Sequence, residues 1–281
     1  MTDSLSADAA ARFLRRLASV PEQEMRVALW REVFANEHPD QVLDKVQLLM
    51  EHSRSGRTDW RAGLLALSRY LSEDRDRARR VLLPAAVIAG DAEIISLVVD
   101  EPPVKEAHSD ELTAPLLNSE REITLGERRT WARKPDRDQI GRLVLDPDPI
   151  VIRHLLQNPR LIELDVLRIA SRRPVSSEVL LEVFQSKKWS KRRQVQLSLI
   201  QNPYTPTQVG LSLVDLCDED GLREVVQARS IHKVIVGRAT ERLRSQLQDA
   251  TEPMVLDVDE WTEGLLERRG LSKEDEGDDD E

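Results

Sequence analysis

The stretch KKWSKRR at 187–193 gathers five cations around one tryptophan. Ammonium and guanidinium groups pair with phosphates or carboxylates, and an interleaved indole can stack on a nucleobase. Arg128, Arg129, Trp131, Arg133 and Lys134 form a second cluster of the same type, and Arg172 with Arg173 a third. Lys187 and Lys188 are expected in a turn, and Lys191, Arg192 and Arg193 at the start of the next helix. Cations in a first helical turn oppose the helix dipole at a cost of about 0.3–1 kcal/mol, which hints at a use for them. The competing reading is a solvated edge, with Trp189 packed under the turn as a plug.

Other chemically capable residues read as structural. Asp-x-Asp pairs at 74/76, 136/138, 146/148 and 257/259 have the type needed for acid–base work or for holding a hard cation. The first three lie beside a proline or among arginines, where capping and turn roles suffice, and the fourth is read in the same way. His38, His52, His108, His154 and His232 lack metal-ligand spacing, and Cys217 sits in the apolar run VGLSLVDLC as a small hydrophobe. Neither a Gly-rich phosphate loop nor H-E-x-x-H occurs. The reading is a non-enzyme with no cofactor and no metal.

The elements that position these clusters are helices. The 281 residues are 33% charged and only 4% aromatic, with 11 glycines and few runs alternating at period 2. That composition predicts an all-α protein with an aliphatic core. A lone cysteine suits a reducing compartment. With no secretory signal pattern and no run long enough to span a bilayer, the expectation is a cytoplasmic protein that does not touch membranes. The net charge of −10 is uneven: residues 273–281 hold seven acids and one lysine, whereas 121–195 hold seventeen Lys and Arg against ten Asp and Glu.

Apolar spacing predicts a helix from near Ser6, a second with Pro21 in its first turn, and a third opened by the HPD at 38–40. A turn is expected at 53–58, then two helices ending at Gly90. Residues 1–100 form an N-terminal helical lobe in this reading, and the proline-bearing stretch 101–120 a loop or boundary. A helical repeat lobe spans 121–249. A capping helix follows at 250–270, and then a disordered acidic tail at 271–281.

Within the repeat lobe, VIRHLLQNP at 151–159 resembles VQLSLIQNP at 195–203, and VVQARS at 225–230 is a degenerate third copy. Proline pushes the residue before it out of the α region, so helices must stop at or near Asn158 and Asn202. Helices of about 10–14 residues are marginal alone and need neighbours. Their pairing predicts a right-handed α-solenoid of short antiparallel helix pairs, with two lobes meeting near 101–120.

The phrase LDPDPIVIRHLLQNPRLIELDVLRIASRRPV at 145–175 resembles the leucine-rich repeat variant family and its HEAT-like relatives. Asp148, Pro149, Val151, Arg153, Leu155, Leu156, Asn158 and Pro159 carry the likeness, and the second copy keeps Val195, Leu197, Leu199, Ile200, Asn202, Pro203 and Pro206. The resemblance implies an α-solenoid and a protein–protein interaction scaffold or adaptor, without the cysteine cluster that some relatives use for iron–sulfur ligation. The expected partner is another protein with an acidic surface. In a solenoid, equivalent turns line up, so the three basic clusters would form one stripe. The alternative is a nucleic-acid-binding HEAT-like protein, with Trp131 or Trp189 beside Asp138 or Asp165 in base excision.

Overall fold

The computed structural model describes residues 2–54, 58–99, 101–112 and 123–251, with side chains described except at 2–7, 58–59 and 247–251. Among the described residues there are fifteen α-helices and no strand. The N-terminal half holds α1 (Thr2–Ser19), α2 (Gln23–Asn36), α3 (Pro39–Arg54), α4 (Thr58–Glu73), α5 (Arg75–Ala89) and α6 (Ala92–Val98). The second half begins with α7 (Leu125–Arg133), α8 (Arg137–Leu143), α9 (Pro149–Leu156) and α10 (Glu163–Ser171). It continues through α11 (Ser177–Gln185), α12 (Arg193–Ile200), α13 (Thr207–Val214), α14 (Glu219–Gln227) and α15 (Lys233–Thr251).

Local chemistry fixes these boundaries. Pro39 opens α3 where its missing N–H costs nothing. Asp74 caps α5 by accepting from the Arg77 N–H, and Gly90 closes it at φ 70°, a left-handed angle that suits glycine. Thr124 and Glu127 form a reciprocal capping box on α7, and Asp136, Asp148, Ser176 and Asp218 cap α8, α9, α11 and α14. The capping role read for the Asp-x-Asp pairs therefore holds at residues 74, 136 and 148; the pair at 257/259 lies outside the described residues.

Several boundaries differ from expectation. Helix α1 already runs from Thr2 rather than Ser6. Pro21 precedes α2, whose N-cap is Glu22. Helices α7 to α14 span seven to nine residues, shorter than the predicted 10–14, because a cap at one end and a proline-linked or capped turn at the other truncate both sides. Helix α12 starts at Arg193, so Lys191 and Arg192 belong to the preceding turn. The expected turn at 53–58, the capping helix at 250–270 and the acidic tail fall wholly or partly outside the described residues.

Each half packs helices two apart in sequence. Helix α3 lies between α1 and α5, and α2 packs on α4. In the second half α9 lies between α7 and α11, α12 between α10 and α14, and α13 packs on α15. The two halves also meet directly: α4 and α6 pack on α13. Residues 101–112 run back along the second half, where the Lys105 N–H donates to the Pro203 carbonyl at 3.0 Å and Thr207 Oγ1 donates to Pro102 O at 2.9 Å. One buried apolar cluster extends from Leu14 to Ala239 through both halves.

The Gln-Asn-Pro copies have a shared structural role. Both helices stop where proline dictates, with Gln157 and Gln201 as C-caps. Asn158 is 3% exposed and donates from Nδ2 to the carbonyls of Ala132 and Lys134, both at 2.8 Å, while its Oδ1 accepts from the Arg160 N–H. Asn202 is 2% exposed and donates to Ala170 O at 2.7 Å and Arg172 O at 3.0 Å, while accepting from the Tyr204 N–H. Each asparagine thus pairs carbonyls that α7 and α10 leave open at their C-termini. The end of one short helix is stapled to the end of the helix two before it.

Candidate functional site

The basic turn 186–192 is a tethered structure rather than an open loop. Trp189 is 3% exposed, and its indole Nε1 donates to Leu156 O at 3.1 Å, over the end of α9. The Ser190 N–H donates to Ser186 O, the Arg192 N–H to Trp189 O, and Gln196 Nε2 to Ser190 O at 2.8 Å. The aromatic ring that sequence spacing offered as a stacking platform is the plug that holds the turn down. Lys188 Nζ lies 4.1 Å from its ring centroid, a cation–π contact at the surface.

The cations around this plug fall into two groups. Lys187 is 71% exposed and reaches Glu24 of α2 at 3.5 Å, and Arg192 sits 4.0 Å from Glu163. Exposed pairs of this length contribute about 0–1 kcal/mol, so both charges stay available. Lys188 and Lys191 form no ion pair with a described residue. Arg193 differs: it grips Asp218, the N-cap of α14, with Nε and Nη2 at 3.1 and 3.2 Å and approaches Glu224 at 3.7 Å. Burial alone would raise the Asp218 pKa, but the hydrogen bonds from Arg193 and the Gly221 N–H hold it below the usual carboxylate range.

Two cavities flank the turn, both walled on the far side by the N-terminal half. One of about 330 Å³ lies between α2 and α4, the turn, α12 and the α13–α14 connection. The other, about 620 Å³, lies between α4 and the ends of α9 and α11, with Lys187 and Lys188 on its rim. Arg26, Arg61 and Arg69 therefore belong to the site, although they stand more than a hundred residues before the turn. No motif marks them; only the packing of the two halves brings them near.

Most arginines of the other two clusters are used by the fold. Arg128 Nε lies 2.9 Å from the fully buried Asp146, whose pKa burial raises. Arg129 bonds Asp148 with Nε and Nη2, Arg133 contacts His154 Nε2 at 2.7 Å, and Trp131 packs half-buried on the core. Desolvation, then Arg133, Arg153 and Arg129, lower the His154 pKa. Arg172 donates to Leu145 O and Arg173 to Gln201 O at 2.7 Å. Most of these arginines close on local partners, whereas Lys134 is exposed without an ion pair to a described residue, so the turn at 186–192 carries the densest group of available cations.

The proposed chemistry at Asp138 and Asp165 finds no shared site. Asp165 accepts both guanidinium nitrogens of Arg137 and the Ile162 N–H; burial pushes its pKa up, and these bonds outweigh that and hold it low. Asp138 lies in the first turn of α8. Cys217 is a buried thiol that desolvation pushes up to about 12, far from a thiolate nucleophile at neutral pH. Among the described residues no cluster of His, Cys, Asp and Glu has metal-binding geometry, and no helix is long and apolar enough to cross a membrane. No family model, no curated protein and no solved structure matches this chain.

Proposed function

We propose that the protein is a non-enzymatic binding scaffold, an α-solenoid of short helices whose basic turn receives an acidic segment of another protein. The packing of helices two apart, repeated in both halves, supports the solenoid reading. One observation carries the function: Trp189 is buried under a turn that places Lys187, Lys188 and Lys191 at two open cavities and leaves Arg192 exposed beside them. A fixed backbone carrying exposed ammonium groups loses little freedom when a carboxylate binds, which favours affinity. The buried indole weighs against the nucleic-acid reading, since stacking on a base needs an open ring. The lone buried thiol is consistent with a reducing, cytoplasmic setting.

Fluorescence anisotropy tests this with a Glu- and Asp-rich peptide containing interspersed leucines, a basic peptide of equal length, and a single-stranded oligonucleotide of equal charge. The acidic peptide should bind, weaken as salt rises, and lose at least about tenfold in affinity with Lys187→Glu, Lys188→Glu and Arg192→Glu combined. Acidic-peptide binding that ignores the triple reversal, or an oligonucleotide bound more tightly than the peptide, would overturn the reading.

A further inference from the structure

The smaller cavity has a charge balance unlike that of its neighbour. Its walls carry Arg26, Arg61, Lys191 and Arg193 against one carboxylate, Asp218. The larger cavity has Arg69, Arg153, Lys187 and Lys188 against Glu73 and Glu182, and Arg153 is already bonded to Glu182 through both Nε and Nη2. In the smaller cavity Arg193 and Asp218 neutralise each other, with Gly221 N–H completing the carboxylate's partners at 2.9 Å. Arg26 is buried and donates to Leu17 O at 3.2 Å and Gln23 Oε1 at 3.3 Å, which leaves Arg61 and Lys191, one from each half of the molecule. Neither forms a hydrogen bond or ion pair with a described residue.

Part of the wall beside these two cations is apolar. Ala62, Leu65, Leu197, Leu216 and Cys217 line the same space. Two cations share this cavity with a single carboxylate that Arg193 already holds, so the site is short of negative charge. An oxyanion seated between them would supply it, and the guanidinium fork and the ammonium are the two groups best suited to bind one. A cavity of about 330 Å³ is at the small end of ligand pockets, roomy enough for a ring-sized body behind one anionic head.

We propose that this cavity binds a small organic anion, with its carboxylate or phosphate head between Arg61 and Lys191 and a compact apolar body against Leu65, Leu197 and Leu216. Such a ligand bridges the N-terminal helices and the basic turn. It therefore couples its own occupancy to the surface on which the acidic segment is proposed to dock, although binding in the cavity does not depend on that reading.

Calorimetric titration with phenyl phosphate, benzoate and neutral benzyl alcohol tests the site. At least one anion should bind about tenfold more tightly than benzyl alcohol, the worth of one charge-assisted contact. A phosphate-only or benzoate-only response assigns the head group. The chain's one thiol, Cys217, reports the location. In alkaline buffer, which offsets the raised pKa of this thiol and brings its modification by methyl methanethiosulfonate onto a measurable timescale, the anion at ten times Kd should slow that modification about tenfold by mass action. Arg61→Gln with Lys191→Gln should abolish binding while leaving the ligand-free melting temperature unchanged. The Lys187, Lys188 and Arg192 reversal should leave anion binding intact, which separates failure here from failure of the acidic-segment reading. The proposal falls if neither anion outcompetes benzyl alcohol, if Cys217 is not protected, or if binding survives the double substitution. Should that double variant not fold, Cys217 protection in the native protein decides alone.

Discussion

The two halves of the molecule stay folded by different means. In the first, α1 to α5 run 14–18 residues, and four aromatic rings chain through the centre: Phe13 to Trp30 at 4.9 Å, Trp30 to Phe34 at 6.2 Å and Phe34 to Tyr70 at 4.6 Å. Long helices and large rings bury enough area for packing to hold them. In the second, α7 to α14 are about two turns each, below the length at which a helix persists alone. Buried asparagines, aspartate caps and arginine–aspartate pairs join their ends. The difference teaches where rigidity comes from. A half made of short helices has many turns, and only turns pinned at their ends can present charge in a fixed geometry.

The comparison can be broken most forcefully in the aromatic half. Trp30→Ala should cost about 3–5 kcal/mol, read as a large drop in the urea midpoint, because a fully buried indole leaves a cavity. Next comes the stapled half. Asn202→Ala leaves the carbonyls of Ala170 and Arg172 and the Tyr204 N–H without their side-chain partner, for a loss of about 2–4 kcal/mol. Asn36, the exposed last residue of α2, is the control: its alanine variant should stay within about 0.5 kcal/mol. Equal losses at Asn36 and Asn202 would erase the distinction.

Acid should act in the same direction and less strongly. Burial would raise the pKa of Asp148, Asp165 and Asp218, but arginine and backbone hydrogen bonds bring each below its ordinary value. A depressed folded-state pKa gives stability that is present above the unfolded value near 4 and is lost as pH falls through the folded value. Urea midpoints should therefore decline below about pH 4, and Asp165→Asn should flatten part of that decline. Apart from the Asn36 control, the smallest effect is expected at the Arg153–Glu182 pair, where Arg153→Ala should cost no more than about 1 kcal/mol by chemical denaturation.

The sequence made some of this legible. The Gln-Asn-Pro repeat located two helix ends because proline acts on its immediate neighbour, and aspartates before apolar runs marked the caps. Helix lengths were overestimated because apolar periodicity continues through residues that caps and turns exclude. The destination of the Asn158 and Asn202 side chains was not legible, since the carbonyls they bind lie 24 to 32 residues away. Spacing singled out Trp189 but left two roles open, and only its hydrogen bond to Leu156 decides for the plug. Arg61 had no signal at all, being an ordinary cation in α4 until the halves are packed together.

Native-state hydrogen exchange of the protein and of Asn202→Ala tests most directly whether stapled ends, rather than helix packing alone, hold the second half and its basic turn. The expected result is faster exchange in α10, α12 and the amides of Ser190 and Arg192, with α1 to α5 as protected as before. Uniform loss of protection along the chain, or none in the turn, would contradict it.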